Sequence, residues 1–338
     1  MRTLTLLATS VMLSSLLGLA ACGGGGGYGG GGGGGYGMPT GAAASKAFAA
    51  DSPHSTIGSL INPDPGPGTI IVDRAITGIY TQISNTIGSL ALDTTNNRLY
   101  VGNGMSILVF NNASQANGDP FVDRVITNNP ASGNTGSLFL DTVNNRLYVG
   151  DDTVGVRVFD NASGISGATA STRLINGNFG GSFQIHGVAV DTSSKNILYV
   201  SNTVGLTNQI SVFDSANMVN GSSTMPNRTI TPNPPSGVGG IFLDVANDRL
   251  YVAGGNASTV MVFNTASAAN GATLPTRTIT FPSPITCVFV ETVNDRLYAV
   301  SLAAIYILGS ASTASGTVTA TAVFAPSGGG FTAVAVAP

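Results

Sequence analysis

Two histidines, two cysteines and one pair of adjacent carboxylates hold most of the chemistry that this 338-residue chain could perform. His186 with Asp151 and Asp152 could hold a divalent cation, because a neutral imidazole offers a lone pair and carboxylates offer charge. One imidazole and two neighbouring Asp make an incomplete ligand set, so no metal site is assigned. No cofactor is required either, and a divalent metal is the one ion these residues leave open. His54 stands in a loop without companions. Cys287 lies in the apolar alternating run "ITCVFVE", where a buried free thiol is expected. No Ser is paired by motif with a His and an acid, and there is no phosphate loop or His cluster.

A second set of carboxylates recurs along the chain. Asp93, Asp141, Asp191, Asp244 and Glu291 are spaced by 48, 50, 53 and 47 residues. Four of them are followed five residues later by Arg: Asp93 and Arg98, Asp141 and Arg146, Asp244 and Arg249, Glu291 and Arg296. The copy at Asp191, "DTSSKNILYV", carries an insertion and loses the Arg. A further Arg recurs at Arg74, Arg124, Arg173, Arg228 and Arg277. Nine of the 13 Lys and Arg residues thus occupy two repeat-equivalent positions, which assigns them to construction. The competing reading is a ring of five carboxylates binding a cation at one channel mouth.

The elements that position these residues are short strands. The first full copy reads "GSLALD", "RLYVG", "SILVF" and "FVDRVIT", with Gly, Asn and Pro clusters between the runs. Helical periodicity is absent after the first segment. Four strands in about 50 residues, repeated, describe the blade of a β-propeller. Five copies are complete. "IGSLINPDPGPGTIIVDRAIT" at 57–77 matches "ILVFNNASQANGDPFVDRVIT" at 107–127, so the chain start supplies outer strands, with "SKAFAAD" as the second. "FTAVAVAP" at 331–338 supplies the missing innermost strand. The expectation is an all-β, six-bladed propeller of four-stranded blades over residues 45–338, its ring closed in one blade shared by both ends.

"LYVGN" at 99–103, "LYVSN" at 198–202 and "SVFD" at 211–214 resemble the NHL and YVTN group of bacterial propeller repeats. The resemblance covers nearly all of 45–338. It implies the fold and leaves function open, since propellers host enzymes, receptors and scaffolds. Six-bladed lactonase-like hydrolases, by resemblance, place carboxylate and amide ligands around a divalent ion at the channel entrance. Here the positions equivalent to His186 are Gly88, Gly136, Gly239, Thr286 and Thr332, which argues against that alternative.

One face of the ring should carry the regular "DxxNxR" turns and "NASxxNG" loops. Asn112 and Asn161 in the "NAS" triplets read as turn residues. The opposite face varies, and the third full repeat has the longest second-to-third strand loop, "SNTVGLTNQ". Phe179, Phe183, His186, Asn202, Asp151 and Asp152 gather there as a candidate ligand-binding patch.

Residues 1–21 read as a signal peptide: Arg2, a largely apolar stretch from Leu4 to Leu19, then Ala20-Ala21. Leu19-Ala20-Ala21-Cys22 resembles a lipobox, which implies lipid attachment at Cys22; an ordinary cut near Ala20 is the competing reading. Residues 22–44 follow as a tether with thirteen glycines between Gly23 and Gly37, whose reach is about 25 Å. Gly after the cysteine, by resemblance to known sorting behaviour, points to the outer membrane. Charged residues are only 9% of the chain and the net charge is −3, so nucleic acid is not a partner. The expected function is a lipid-anchored cell-envelope binding or scaffold module without enzymatic activity, its partner an envelope protein or glycan. The hydrolase and a structural surface protein are the alternatives.

Overall fold

The computed structural model describes residues 22–23, 46–61, 71–129, 134–176, 183–221, 224–233, 236–325 and 330–337. The leader, most of the tether and Phe179 lie outside these residues. Six antiparallel sheets stand around an axis, one for each blade. Blade 1 takes its innermost strand, Phe331–Ala337, from the end of the chain and pairs it with Lys46–Asp51, followed by Thr56–Ile61 and Ile71–Ile76. Blades 2 to 6 are continuous and begin with Ile87–Asp93, Thr135–Asp141, Phe183–Asp191, Ile241–Asp244 and Cys287–Glu291. The expected six blades and the ring closure are therefore present.

The core is divided as the sequence demands. Strand faces are apolar on both sides, and each side meets a neighbouring blade. The result is six separate buried clusters, one for each interface between successive blades. Tyr100, Tyr148, Tyr199, Tyr251 and Tyr298 hold the same position on successive second strands and are fully buried. Each removes a large ring from water, which stabilises by roughly 1.5–3 kcal/mol before any hydrogen bond of its hydroxyl.

Turn chemistry locks one face. Asn97, Asn145, Asn196, Asp248 and Asp295 all adopt positive φ, a conformation that Asn and Asp tolerate. Their side-chain oxygens accept the backbone N–H of Ser114, Ser163, Asn217, Ser267 and Ser312 in the loop between the third and fourth strands. The outer-strand arginines then join blades: Arg124 donates to the carbonyls of Ala162 and Ile165, Arg173 to Ala216, Arg228 to Ala269, and Arg277 to Ala314. Those loops climb the preceding blade and add short parallel strands, Gly167–Ala170 on Arg124–Asn129, Gly271–Thr273 on Arg228–Pro232 and Gly316–Thr317 on Arg277–Thr280.

Candidate functional site

In blade 4 the sequence "SNTVGLTNQ" is not a loop. The second and third strands run to Val204 and restart at Thr207, so blade 4 ends in a projecting hairpin turned by Gly205 and the fully exposed Leu206. Alternation of Thr, Val and Asn lets the ladder continue past the point where other blades turn. His186 is the extra residue of a bulge between Ile185 and Gly187 in the innermost strand. The same bulge falls at Gly88, Gly136 and Thr332 in other blades. At Gly88 an added Cβ would meet the Thr135 carbonyl oxygen at 2.8 Å, whereas blade 4 has room for an imidazole.

The candidate patch is largely an interior. Asp151 and Asn202 have no exposed surface and His186 retains 2%. Asp151 accepts from Thr153 N (2.9 Å), Thr153 Oγ1 (2.7 Å) and Arg157 Nε (3.0 Å), the last a buried ion pair. Asp152 accepts the Ile185 N–H at 2.8 Å, and burial raises its carboxyl above the usual range. Thr203 donates its hydroxyl to Asn208, so His186 Nε2 is the donor to Thr203 Oγ1 at 2.8 Å. Burial lowers the His186 imidazole to about 4, leaving it neutral. The Asn202 amide nitrogen faces the Val200 and Gln209 carbonyls and the Ser211 hydroxyl. Phe183 packs on the cluster between blades 3 and 4. These residues are neighbours, as read from sequence, but their polar atoms hold the hairpin and the bulge rather than face solvent. Among the described residues no group of three or more His, Cys, Asp or Glu comes together.

The repeat pairs stand opposite each other in register: Asp93 and Arg98, Asp141 and Arg146, Asp244 and Arg249, Glu291 and Arg296. Their carboxylates bond mainly within their own turns, and the Arg pairing is looser. Asp93, Asp141 and Asp244 accept both the backbone and side-chain N–H of Asn96, Asn144 and Asn247. Arg146 turns instead to Asp160 at 2.8 Å, Arg249 lies 4.0 Å from Asp244, and Arg296 lies 3.4 Å from Glu291. An Asx turn satisfies the carboxylate at shorter range than a long guanidinium does. His54 also has a companion, Asp51 at 2.8 Å. A cleft of about 240 Å³ opens between the turns of blades 3 and 4, lined by Asp141, Arg146, Tyr148, Ser193 and Asn217.

Three features were not read from the sequence. Cys22–Gly23, taken as the start of the tether, form a strand paired in parallel with Gly187–Val188, against the innermost strand of every blade. Cys287 is buried as expected but is disulfide-bonded rather than free. The third feature is an exposed aromatic platform where the loop entering blade 2 meets the loop between the third and fourth strands of that blade. Tyr80 and Phe121 lie with ring centroids 4.5 Å apart beside Ile79, which is 81% exposed. Asp119 fixes the loop by accepting the N–H of Ile79, Tyr80 and Thr81, and Asn103 bonds to Gln82 and Ser84. The signal for it was the run "GIYTQISN", which has no counterpart in the other repeats.

No family model matches the chain. No curated protein matches it either. Among solved structures, a chain from the crystal structure of a nidogen/laminin complex is similar over 87% of this chain and 98% of that one, with a TM-score of 0.57 and 15% identity. The likeness is one of fold, and the class it defines with the six sheets is the six-bladed β-propeller.

Proposed function

We propose that this propeller is an exported, non-catalytic binding module of the bacterial cell envelope. The carrying observation is the platform of Ile79, Tyr80 and Phe121, apolar and aromatic surface left in water where two loops meet, joined by three backbone N–H bonds from Ile79, Tyr80 and Thr81 to Asp119. Exposed aromatic groups of this kind anchor interfaces, and a fixed loop loses little freedom on binding. The partner is a protein surface presenting an apolar pocket. Export is supported by the leader pattern of residues 1–21. Lipid attachment at Cys22, with an outer-membrane address, is the second reading, favoured by Leu19-Ala20-Ala21-Cys22. The lactonase-like alternative gains nothing from the bulge positions at Gly88, Gly136 and Thr332, which carry no ligand groups suited to it.

The test compares capture of envelope proteins by the wild-type chain, by a Tyr80→Ser, Phe121→Ser variant and by His186→Ala. A protein held by the wild type and His186→Ala but lost with the platform variant supports the reading. Equal recovery by all three would overturn it.

A further inference from the structure

The axis of the ring, where six innermost strands converge, is occupied by the chain's own backbone. Cys22–Gly23 pair in parallel with blade 4 through Gly187 and Val188 and lie against the innermost strands of all six blades. Independently, Cys287, which opens the innermost strand of blade 6, is fully buried and disulfide-bonded. The chain contains two cysteines, so the partner available within it is Cys22. We infer that Cys22 and Cys287 form an axial staple, a disulfide that seats the strand Cys22–Gly23 inside the ring and makes the channel a docking site for the chain itself rather than an open pore for a ligand.

The staple joins elements on different blades. The backbone of the axial strand is held by blade 4, whereas the disulfide-bonded Cys287 stands on blade 6, beside the blade in which the chain ends meet. It forms by loss of two thiol protons and two electrons to a disulfide oxidant such as oxidised glutathione, which leaves as two thiols while the new S–S bond closes. An exported protein reaches a compartment where that exchange runs forward. The same sulfur cannot also carry a diacylglyceryl thioether. Staple and lipid anchor are therefore exclusive fates of Cys22, and the inference stands apart from the binding reading, which needs neither.

The experiment exports the full chain from a bacterial host, blocks free thiols with N-ethylmaleimide without reduction, and maps peptides by mass spectrometry. The expected result is a Cys22–Cys287 cross-linked peptide that disappears with dithiothreitol, and a maleimide adduct on Cys22 in Cys287→Ser. A maleimide adduct on Cys287 of the untreated protein, with Cys22 either alkylated or carrying a diacylglyceryl thioether, would overturn the staple. Hydrogen exchange tests the seating: the amide of Gly23 should be protected in the oxidised protein and exposed after reduction. Free exchange in both states would overturn it. The wild-type peptide map decides even where Cys287→Ser fails to fold.

Discussion

On the turn face of the ring the same pair of bonds is made at each of five blades, whereas the opposite face is held by contacts that change from blade to blade. The turn face repeats an Asn or Asp side chain accepting the N–H of the next loop, together with the backbone bond beside it, as in Ala113 to Asn97, Ala162 to Asn145 and Ala266 to Asp248. The loop face uses a buried Asp151–Arg157 pair in blade 3, a bonded histidine in blade 4 and a carboxylate clasp at Asp119 beside blade 2. Repetition spreads stability over many equal bonds. Individuality concentrates it in a few groups whose loss is felt singly.

The sharpest way to break that contrast is at the buried pair. Arg157→Leu should destabilise the fold by about 3–5 kcal/mol, because it leaves Asp151 charged and buried. Urea unfolding measures the loss, and Asp151→Leu added to Arg157→Leu should recover part of it. A cost under 1 kcal/mol for the single variant would show that the loop face is not so concentrated.

His186 gives the next effect. Its imidazole is lowered from the ordinary 6.5 to about 4 by burial, so the unfolded chain takes up its proton first. The stabilising contribution is complete above pH 6.5 and is lost as the pH falls towards 4, up to about 3 kcal/mol in all. Asp152, raised by burial, acts in the opposite sense from the ordinary carboxylate range upward. Thermal unfolding between pH 7 and 4 should therefore show a steeper loss for the wild type than for His186→Asn.

The smallest effect separates two turns of the regular face. Tyr251 donates to the Ala311 carbonyl at 3.2 Å and lies 3.4 Å from Arg249, but in blade 4 Ile197 replaces that Arg and the buried Tyr199 hydroxyl has no partner among the described residues. Tyr251→Phe should cost about 1 kcal/mol, whereas Tyr199→Phe should cost nothing or stabilise slightly. Lys195, the inserted residue, restores the link between blades by reaching Asp248 at 2.9 Å and Ser267 at 3.0 Å.

The blades were legible because a repeat prints its strands and turns at a fixed period, and even the shared blade showed in "VDR" at 72–74 and in "FTAVAVAP". The site was less so. Asp151 and Asn202 read as loop residues because hydrophilic side chains usually mark the surface, yet Arg157 turns inward and the blade 4 ladder runs on past Asn202. That Cys287 is bonded left no local pattern, since its run "ITCVFVE" reads as an ordinary buried strand. Tyr80 was hidden for a different reason: it lies in an insertion outside the repeat, where comparison between copies has nothing to align.

The short parallel strands that climb each preceding blade have a consequence for how copies of this protein meet in a crowded solution. An outer strand with free N–H and C=O groups is a template for another chain, and many proteins blunt it with lysine. This one has few charges to spare, at 9% of its residues. Gly167–Ala170, Gly271–Thr273 and Gly316–Thr317, with single bridges at Gly118 and Gly221, cover the outer strands of five blades instead. Backbone thus does at the rim what electrostatic repulsion does elsewhere, and it keeps doing so when salt or acid removes the charge.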